Sequence, residues 1–161
     1  MKRIVLVGFS IVLLLPLALQ AQEKVWGTFA TSGLTLDTLV LSEDRVVTRG
    51  VNGILVDVDD PSSPFSGQNG ECLGKTVATE EGDPMISGGA CFAENAEGDG
   101  YWWWWRVTEA GTEECPMECG TWSIFLGVGR FEGVTGGGTY KATAQNADGT
   151  GSGEWQATIK W

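Results

Sequence analysis

The segment GDGYWWWWRVTEAG contains the residue types best suited to bind a ligand. If it forms a strand, its side chains alternate between the two faces of a sheet, which puts Trp103 and Trp105 on one face. Trp102, Trp104 and Arg106 lie on the other face. We predict that this second face points outward, because a protein core tolerates arginine poorly. Arg106 can then make a cation–π contact with Trp104.

Each pair of tryptophans allows two interpretations. The inner pair either packs in the core or contacts a bound ligand, and core packing is the simpler of the two. The outer pair is either covered by the loop EAGTEECPMECG or left exposed as a binding platform. A flat aromatic pair suits sugar rings or another hydrophobic ligand, so Trp102, Trp104 and Arg106 are the predicted ligand-binding residues.

Hydrolysis by a serine or cysteine nucleophile is disfavoured, because the chain has no histidine to act as the base. Two carboxylates at a suitable separation could still perform acid and base catalysis, but a sequence does not give that separation. These observations favour a non-enzymatic protein over an enzyme and leave the question open.

Acidic residues are densest in DVDD, residues 57–60, and in ENAEGDG, residues 94–100. The simpler interpretation is that both are solvated turns. The functional interpretation is a calcium site, since carboxylate and amide oxygens near a glycine turn suit a hard cation. The second cluster lacks the full twelve-residue calcium loop, so we expect no cofactor. The candidate calcium ligands in it are Glu94, Asn95, Glu97 and Asp99.

The chain has four cysteines, and their spacings of 19, 24 and 4 residues lack the paired halves of a zinc ribbon. An even number of cysteines in an exported chain favours disulfides. Of the three possible pairings we favour the most local one, which joins Cys72 to Cys91 and Cys115 to Cys119.

Residues 1–21 have the features of a secretory signal peptide: two basic residues, then an apolar run from Ile4 to Leu19, then a small residue at Ala21. The run is shorter than the roughly 20 residues that span a bilayer. We therefore predict a secreted or periplasmic protein whose residues 22–161 form one domain, without a membrane span. That domain holds eight basic and 21 acidic residues, and such a surface disfavours nucleic acid as a partner.

Short alternating segments, 24 glycines and the lack of any long helical period predict an all-β fold. The last two segments flank an Asp148-Gly149 turn and are expected to pair as a hairpin. We favour a closed antiparallel β-barrel of about eight strands, because closure removes exposed strand edges, with a β-sandwich as the alternative. Nine strand candidates can be read from the chain: KVWGTFATS, LTLDTLVLS, RVVTRGVNGILVDVD, ECLGKTVATE, SGGACFAEN, YWWWWRVTE, GTWSIFLGV, TYKATAQ and EWQATIKW.

The segment GVGRFEGVTGGGTY, followed by GEWQATIKW, resembles the closing strands of the allene oxide cyclase and dirigent type of barrel. The upstream CFAENAEGDGYWWWW is also similar to that group, and the resemblance spans roughly residues 87–161. It is closest to secreted bacterial members without an assigned activity. The resemblance implies an eight-stranded antiparallel barrel with a central cavity, and it carries over no catalytic residues.

Three functions follow from these observations. The first is a non-enzymatic secreted barrel that binds a small hydrophobic or carbohydrate ligand, in its cavity or on the Trp102/Trp104 face. The second is an isomerase or cyclase that acts on a hydrophobic substrate in an open lumen, as the resemblance suggests. The third is a small outer-membrane barrel, which only the terminal strand ending at Trp161 supports. The ligand and the oligomeric state are left open.

Overall fold

The computed structural model describes residues 21–42, 45–78, 84–146 and 148–161. Nearly all of the predicted signal peptide therefore lies outside the described residues. Eight strands form a closed antiparallel barrel in which each strand pairs with its neighbours in the chain, and the last strand pairs with the first. The predicted barrel is confirmed, and the sandwich alternative is wrong. No helix in these ranges is long and apolar enough to cross a membrane.

The elements follow one another with short connections. A single 3₁₀ turn, Gly129–Phe131, joins the sixth and seventh strands. The predicted hairpin around Asp148-Gly149 is present as the pairing of the last two strands. The strands are β1 Gln22–Ser42, β2 Arg45–Val58, β3 Gln68–Ala78, β4 Pro84–Glu94, β5 Gly100–Ala110, β6 Glu118–Val128, β7 Thr135–Gln145 and β8 Gly151–Lys160.

The first two predicted segments are one strand of 21 residues, which reduces the predicted nine strands to eight. Between them the register shifts at Ser32/Leu34, and Gly33 has a φ of 63°, a backbone conformation that favours glycine. This is a β-bulge, which bends a strand without ending it. The glycine therefore marks a bend within β1, although in the sequence it is also typical of a turn.

Glycines inside the barrel make room for aromatic rings on neighbouring strands. A Cβ atom added at Gly74 would lie 2.7 Å from Cζ2 of Trp105, and one added at Gly120 would lie 2.3 Å from Cε1 of Tyr140. Both distances are far below van der Waals contact. The interior thus accommodates its large rings because the facing positions have no side chain.

One end of the barrel is filled by an aromatic cluster. Phe65 from the β2–β3 loop and Phe131 from the 3₁₀ turn are both 0 % exposed, and their ring centroids are 5.1 Å apart. Tyr101 of β5 packs against both rings at 5.2 and 4.9 Å. Trp161 contacts the same two rings at 5.9 Å each. Rings from two loops and from the chain end therefore close this end of the lumen, which we call the closed end.

The structure contains both disulfides that the sequence analysis favours. Cys72 of β3 lies directly opposite Cys91 of β4, and both are buried on the inner face. Cys115 and Cys119 close a short loop between β5 and β6, at the end opposite to the aromatic cluster. The first disulfide joins two adjacent strands on the inner face of the barrel, whereas the second one shapes a loop.

We expect the double variant Cys72→Ala/Cys91→Ala to lose about 3 kcal/mol of unfolding free energy, because this disulfide closes a loop of some 20 residues. The matched control is Cys115→Ala/Cys119→Ala, whose disulfide closes a much shorter loop and whose loss should be smaller. Chemical denaturation monitored by tryptophan fluorescence would measure both values. A larger loss in the control variant would contradict the assignment of the first disulfide as the main cross-link.

A candidate ligand-binding cavity

The half of the lumen opposite the closed end is open and contains a cavity of about 290 Å³. It reaches the end of the barrel at which β5 turns into β6 and β7 turns into β8. Seven aromatic side chains line it: Phe29, Tyr101, Trp103, Trp105, Trp122, Tyr140 and Trp155.

The cavity exists because its two walls differ in side-chain size. Most of the rings come from β5 to β8, and they form one apolar wall. The opposite wall comes from β2 to β4, where the inward positions nearest the open end carry glycine or short polar side chains, while Ile54, Val56 and the Cys72–Cys91 disulfide lie deeper. These small residues leave unfilled the space that larger ones would occupy. The wall of small residues consists of Thr48, Gly50, Asn52, Gly74, Thr76 and Ser87.

Glu118 and Tyr140 form the most distinctive polar pair of the cavity. Both line it, and the Tyr140 hydroxyl donates a hydrogen bond of 3.2 Å to Oε1 of Glu118. Burial raises the pKa of the Glu118 carboxyl above its ordinary value, and the hydrogen bond from Tyr140 opposes that rise. Burial and the nearby charge of Glu118 raise the pKa of Tyr140, so the phenol keeps its proton. Because the Tyr140 proton is donated to Glu118, the pair offers hydrogen-bond acceptors to a ligand, and it offers a donor only when the Glu118 carboxyl is protonated, a state that burial favours.

Two indole rings extend the aromatic wall next to this pair. Trp105 and Trp122 lie directly opposite each other on β5 and β6. Trp105 contacts Tyr140 edge to face at 6.5 Å, and Trp122 contacts Trp155 in the same way at 5.4 Å. Neither buried indole N–H has a hydrogen-bond acceptor among the described residues. The aromatic wall is therefore mostly apolar, and it also contains two N–H groups that no described residue satisfies.

The predicted orientation of the four consecutive tryptophans is confirmed. Trp103 is 7 % exposed and lies in the core, and Trp105 packs against the core from the same face. Trp102 and Trp104 point outward, and Trp104 is 55 % exposed. The loop between β5 and β6 therefore leaves Trp104 largely uncovered. Core packing of the inner pair is confirmed, and contact with a ligand stays a prediction, because Trp103 and Trp105 are part of the packing and also line the cavity.

The outward tryptophans stack on neighbouring phenylalanines. Trp102 stacks on Phe92 of β4, with ring centroids 4.1 Å apart and an interplanar angle of 26°. Trp104 stacks on Phe125 of β6 at 4.6 Å and 20°. Arg106 is exposed, and in the described ranges no cation–π contact joins it to Trp104. The expected cation–π contact is thus replaced by a ring–ring contact with Phe125.

The candidate calcium ligands lie in the turn between β4 and β5. The carboxylate of Asp99 accepts hydrogen bonds from the backbone N–H of Arg130 at 3.0 Å and from its Nε at 2.6 Å. The side-chain oxygen of Asn95 accepts from the backbone N–H groups of Glu97 and Asp99. In the part of the chain that the structure describes, no three acidic, histidine or cysteine side chains are grouped to hold a metal. These contacts tie the turn to the 3₁₀ turn and do not favour the calcium interpretation, which stays untested.

The other acidic cluster organises a loop. Asp57 accepts hydrogen bonds from the Ser66 hydroxyl and from the backbone N–H groups of Val58 and Gly67, which hold its pKa below the ordinary value. It thereby fixes the β2–β3 loop that carries Phe65 into the closed end.

Sequence reasoning missed Glu118, Trp122 and Tyr140 as site residues. In the sequence nothing distinguishes Trp122 from a core residue, and the alternation of TYKATAQ indicates only that Tyr140 shares a face with two alanines. Glu118 lies between two cysteines in a segment interpreted as a loop, so no periodic signal placed it inside the barrel. Its pairing with Tyr140 depends on the register of β6 against β7, which places Gly120 opposite Tyr140.

No protein-family model matches the sequence, and no curated protein matches it. The fold is similar to the structure of the pterocarpan synthase dirigent protein GePTS1, with a TM-score of 0.52 and 13 % sequence identity. The superposition covers 96 % of this chain and 96 % of that one. At this identity the likeness shows the fold alone. The chain therefore has a dirigent-like barrel, as the resemblance of its closing strands predicts.

We expect the variant Glu118→Gln to be at least as stable as the wild type at pH 8, and to lose this advantage by about pH 4. A carboxyl whose pKa is raised by folding stabilises the folded state at low pH, and that contribution disappears as the pH rises through the folded-state pKa. Glutamine still accepts the hydrogen bond from Tyr140. Thermal unfolding between pH 4 and pH 8 would measure the difference.

The control for this series is Glu113→Gln, which removes an exposed carboxyl from the neighbouring loop. If both variants showed the same pH dependence relative to the wild type, the effect would come from net charge and the assignment of Glu118 as a buried carboxyl would be wrong.

Proposed function

We propose that this protein is a non-enzymatic, exported barrel that binds a small, flat and largely apolar molecule in its cavity. The observation that carries the proposal is the cavity of about 290 Å³ with aromatic rings on one wall and small polar residues on the other. Ligand sites in proteins are typically apolar clefts with a few polar groups that orient the ligand. An eight-stranded barrel has room for one small ligand.

The polar groups of the cavity suggest which molecules fit best. The Tyr140 hydroxyl and the Glu118 carboxyl lie together beside the aromatic wall. A neutral ring compound with a hydroxyl or carbonyl group could exchange hydrogen bonds with them while its ring contacts the indoles. Anionic molecules are disfavoured, because the chain carries a net charge of −11 and has a carboxyl in the cavity itself.

The ring geometry favours the cavity over the outer face as the site for a sugar or another flat ligand. Trp102 and Phe92 lie directly opposite each other on adjacent strands, and their rings face each other at 4.1 Å. Both rings must therefore stand upright on the sheet, and one face of each is covered by its neighbour. A sugar ring stacks on an open aromatic face, and the covered face of each ring is not available for such a contact.

Export is part of the proposal. The two disulfides suit an oxidising compartment, and the features of residues 1–21 suit a cleaved signal peptide. A transmembrane barrel would need outward bands of apolar side chains. On β8 the inward residues Trp155, Ala157 and Ile159 are buried and apolar, while the outward positions between them are exposed and polar. This polarity is the opposite of the one an outer-membrane barrel requires.

An isomerase or cyclase is the second candidate function, and Glu118 is the observation that favours it. The open lumen holds a carboxyl beside aromatic side chains, which is the arrangement such an activity requires. Because burial raises the pKa of Glu118, the group is better able to donate a proton to a bound substrate near neutral pH.

The binding proposal predicts that the neutral fluorescent probe N-phenyl-1-naphthylamine becomes brighter in the presence of the protein. Thr48→Phe should weaken this binding by at least about tenfold, because the ring enters the cavity from the wall of small residues. The matched control is Val47→Phe, on the outer face of the same strand, which should bind like the wild type.

Fluorescence titration would give the affinities, and circular dichroism would show that each variant is folded. Equal binding by folded Thr48→Phe and by the wild type would place the probe elsewhere and contradict the cavity as the site. Absence of any fluorescence change with the wild type would overturn the proposal.

The second candidate function predicts that the Glu118 carboxyl titrates above the ordinary range of a glutamate in the folded protein. Titration of the side-chain carboxyl carbons by ¹³C NMR would measure this pKa, with Glu118→Gln used to assign the signal. A titration midpoint at or below the ordinary value of about 4.3 would remove the basis for an acid role.

A further inference from the structure

The outward aromatic residues belong to a larger apolar surface on β3 to β6, which the cavity does not involve. Leu73 lies beside Ala90 on β4, which lies beside Trp104 on β5. Four of the side chains are about half exposed: Leu73 at 57 %, Trp104 at 55 %, Leu126 at 50 % and Phe125 at 45 %. We call this surface the outer aromatic face, and it consists of Leu73, Phe92, Trp102, Trp104, Phe125 and Leu126.

A surface of this kind indicates an interaction site. Single exposed apolar side chains are normal, but contiguous patches of several hundred Å² usually mark contacts with other molecules. The upright rings described above form ridges with the leucine side chains between and beside them. Ridges of this kind interdigitate with the side chains of another protein surface, as in the well-packed centre of a protein interface.

Charges of opposite sign border the face along the strand direction. On β3, Glu71 lies two residues before Leu73, and Lys75 lies two residues after it. All three point outward and are exposed. On β5, Arg106 lies two residues after Trp104, in the same cross-strand row as Lys75. Lys75 and Arg106 thus border one end of the face, and Glu71 lies at the other end, in the cross-strand row of Phe92 and Trp102.

These border charges have no ion-pair partner within the described residues of the chain. The ion pairs in those ranges are Arg49 with Asp37 and Arg130 with Asp99. Lys75, Glu71 and Arg106 are therefore available for contacts with another molecule.

We propose that the outer aromatic face binds a second copy of this chain through a twofold axis that runs across the strands near Leu73 and Trp104. Rotation about this axis places each strand opposite the same strand of the partner, and the two strands run in opposite directions. Lys75 then faces the partner's Glu71, and symmetry makes this ion pair twice. Arg106 faces the partner's Trp102, where it can contact the exposed part of the indole.

A second copy fits this face better than an anionic membrane or an acidic polysaccharide. Either of those would be attracted by Lys75 and Arg106, but both would be repelled by Glu71 and by the net charge of −11. A partner must offer an acidic group opposite Lys75 and a basic group opposite Glu71 at the same spacing. A second copy of the chain has this pattern. The face comprises six side chains, fewer than the roughly 20–30 residues that each partner contributes to a standard interface, so we expect micromolar affinity.

The test uses the purified, disulfide-bonded protein in sedimentation-velocity experiments over a range of concentrations. The wild type should dimerise. Lys75→Glu should raise the dissociation constant by about tenfold, because two attractive contacts become repulsive. Glu71→Lys should weaken the dimer similarly, and the double variant Lys75→Glu/Glu71→Lys should restore it. Lys24→Glu on β1, with the same change of net charge far from the face, should leave the dimer unchanged.

Restoration by the double variant, together with an unaffected control, would support the proposed register. A wild type that stays monomeric up to about 200 μM, or a dimer that the single variants do not weaken, would overturn the proposal. Cosedimentation of the monomer with vesicles of phosphatidylglycerol, lost in Lys75→Glu and not restored by the double variant, would overturn it in favour of a membrane. The sedimentation experiments contain no cavity ligand, so their outcome does not depend on ligand binding.

Discussion

Closure of the barrel limits the side chains that can share its interior, and the remaining structure follows from this limit. When β8 pairs with β1, every inward residue lies in a lumen just wide enough for side chains to fill it. A tryptophan on one strand then requires a small residue on another, as Trp105 requires Gly74. The distribution of rings and glycines along the strands therefore decides where the lumen is filled and where it is open.

This distribution is uneven, and the unevenness produces the candidate site. At the closed end, the rings of Tyr101 and Phe131 pack against Phe65 and fill the lumen. At the other end, the rings of β5 to β8 face threonine, serine, asparagine and glycine. The carboxyl of Glu118 lies in this half, where its burial is only partial and Tyr140 satisfies one of its oxygens. A polar group can thus be present in the lumen without a fully buried charge.

Alternation within strands could be predicted from the sequence, because it depends only on local geometry. The inward direction of Trp103 and the final hairpin follow from it, and the local disulfides follow from cysteine spacing and compartment. Contacts between strands could not be predicted in the same way. The stacking of Trp104 on Phe125 and the pairing of Glu118 with Tyr140 depend on the register between neighbouring strands, which alternation within one strand does not determine. Gly33 shows the same limit, since a glycine can mark a turn or a bulge.

The register shift in β6 has a consequence for how this barrel can vary. Leu126 lies opposite Trp102 and Ile124 lies opposite Trp103. Phe125 between them has no partner on β5 and therefore forms a β-bulge. Ile124 faces the lumen and Leu126 the exterior, although they are two positions apart. Loss of residue 125 would restore regular alternation and remove an outward ring while every lumen position kept its orientation. The two surfaces of the barrel wall can therefore diverge independently, through insertion or deletion of a single codon.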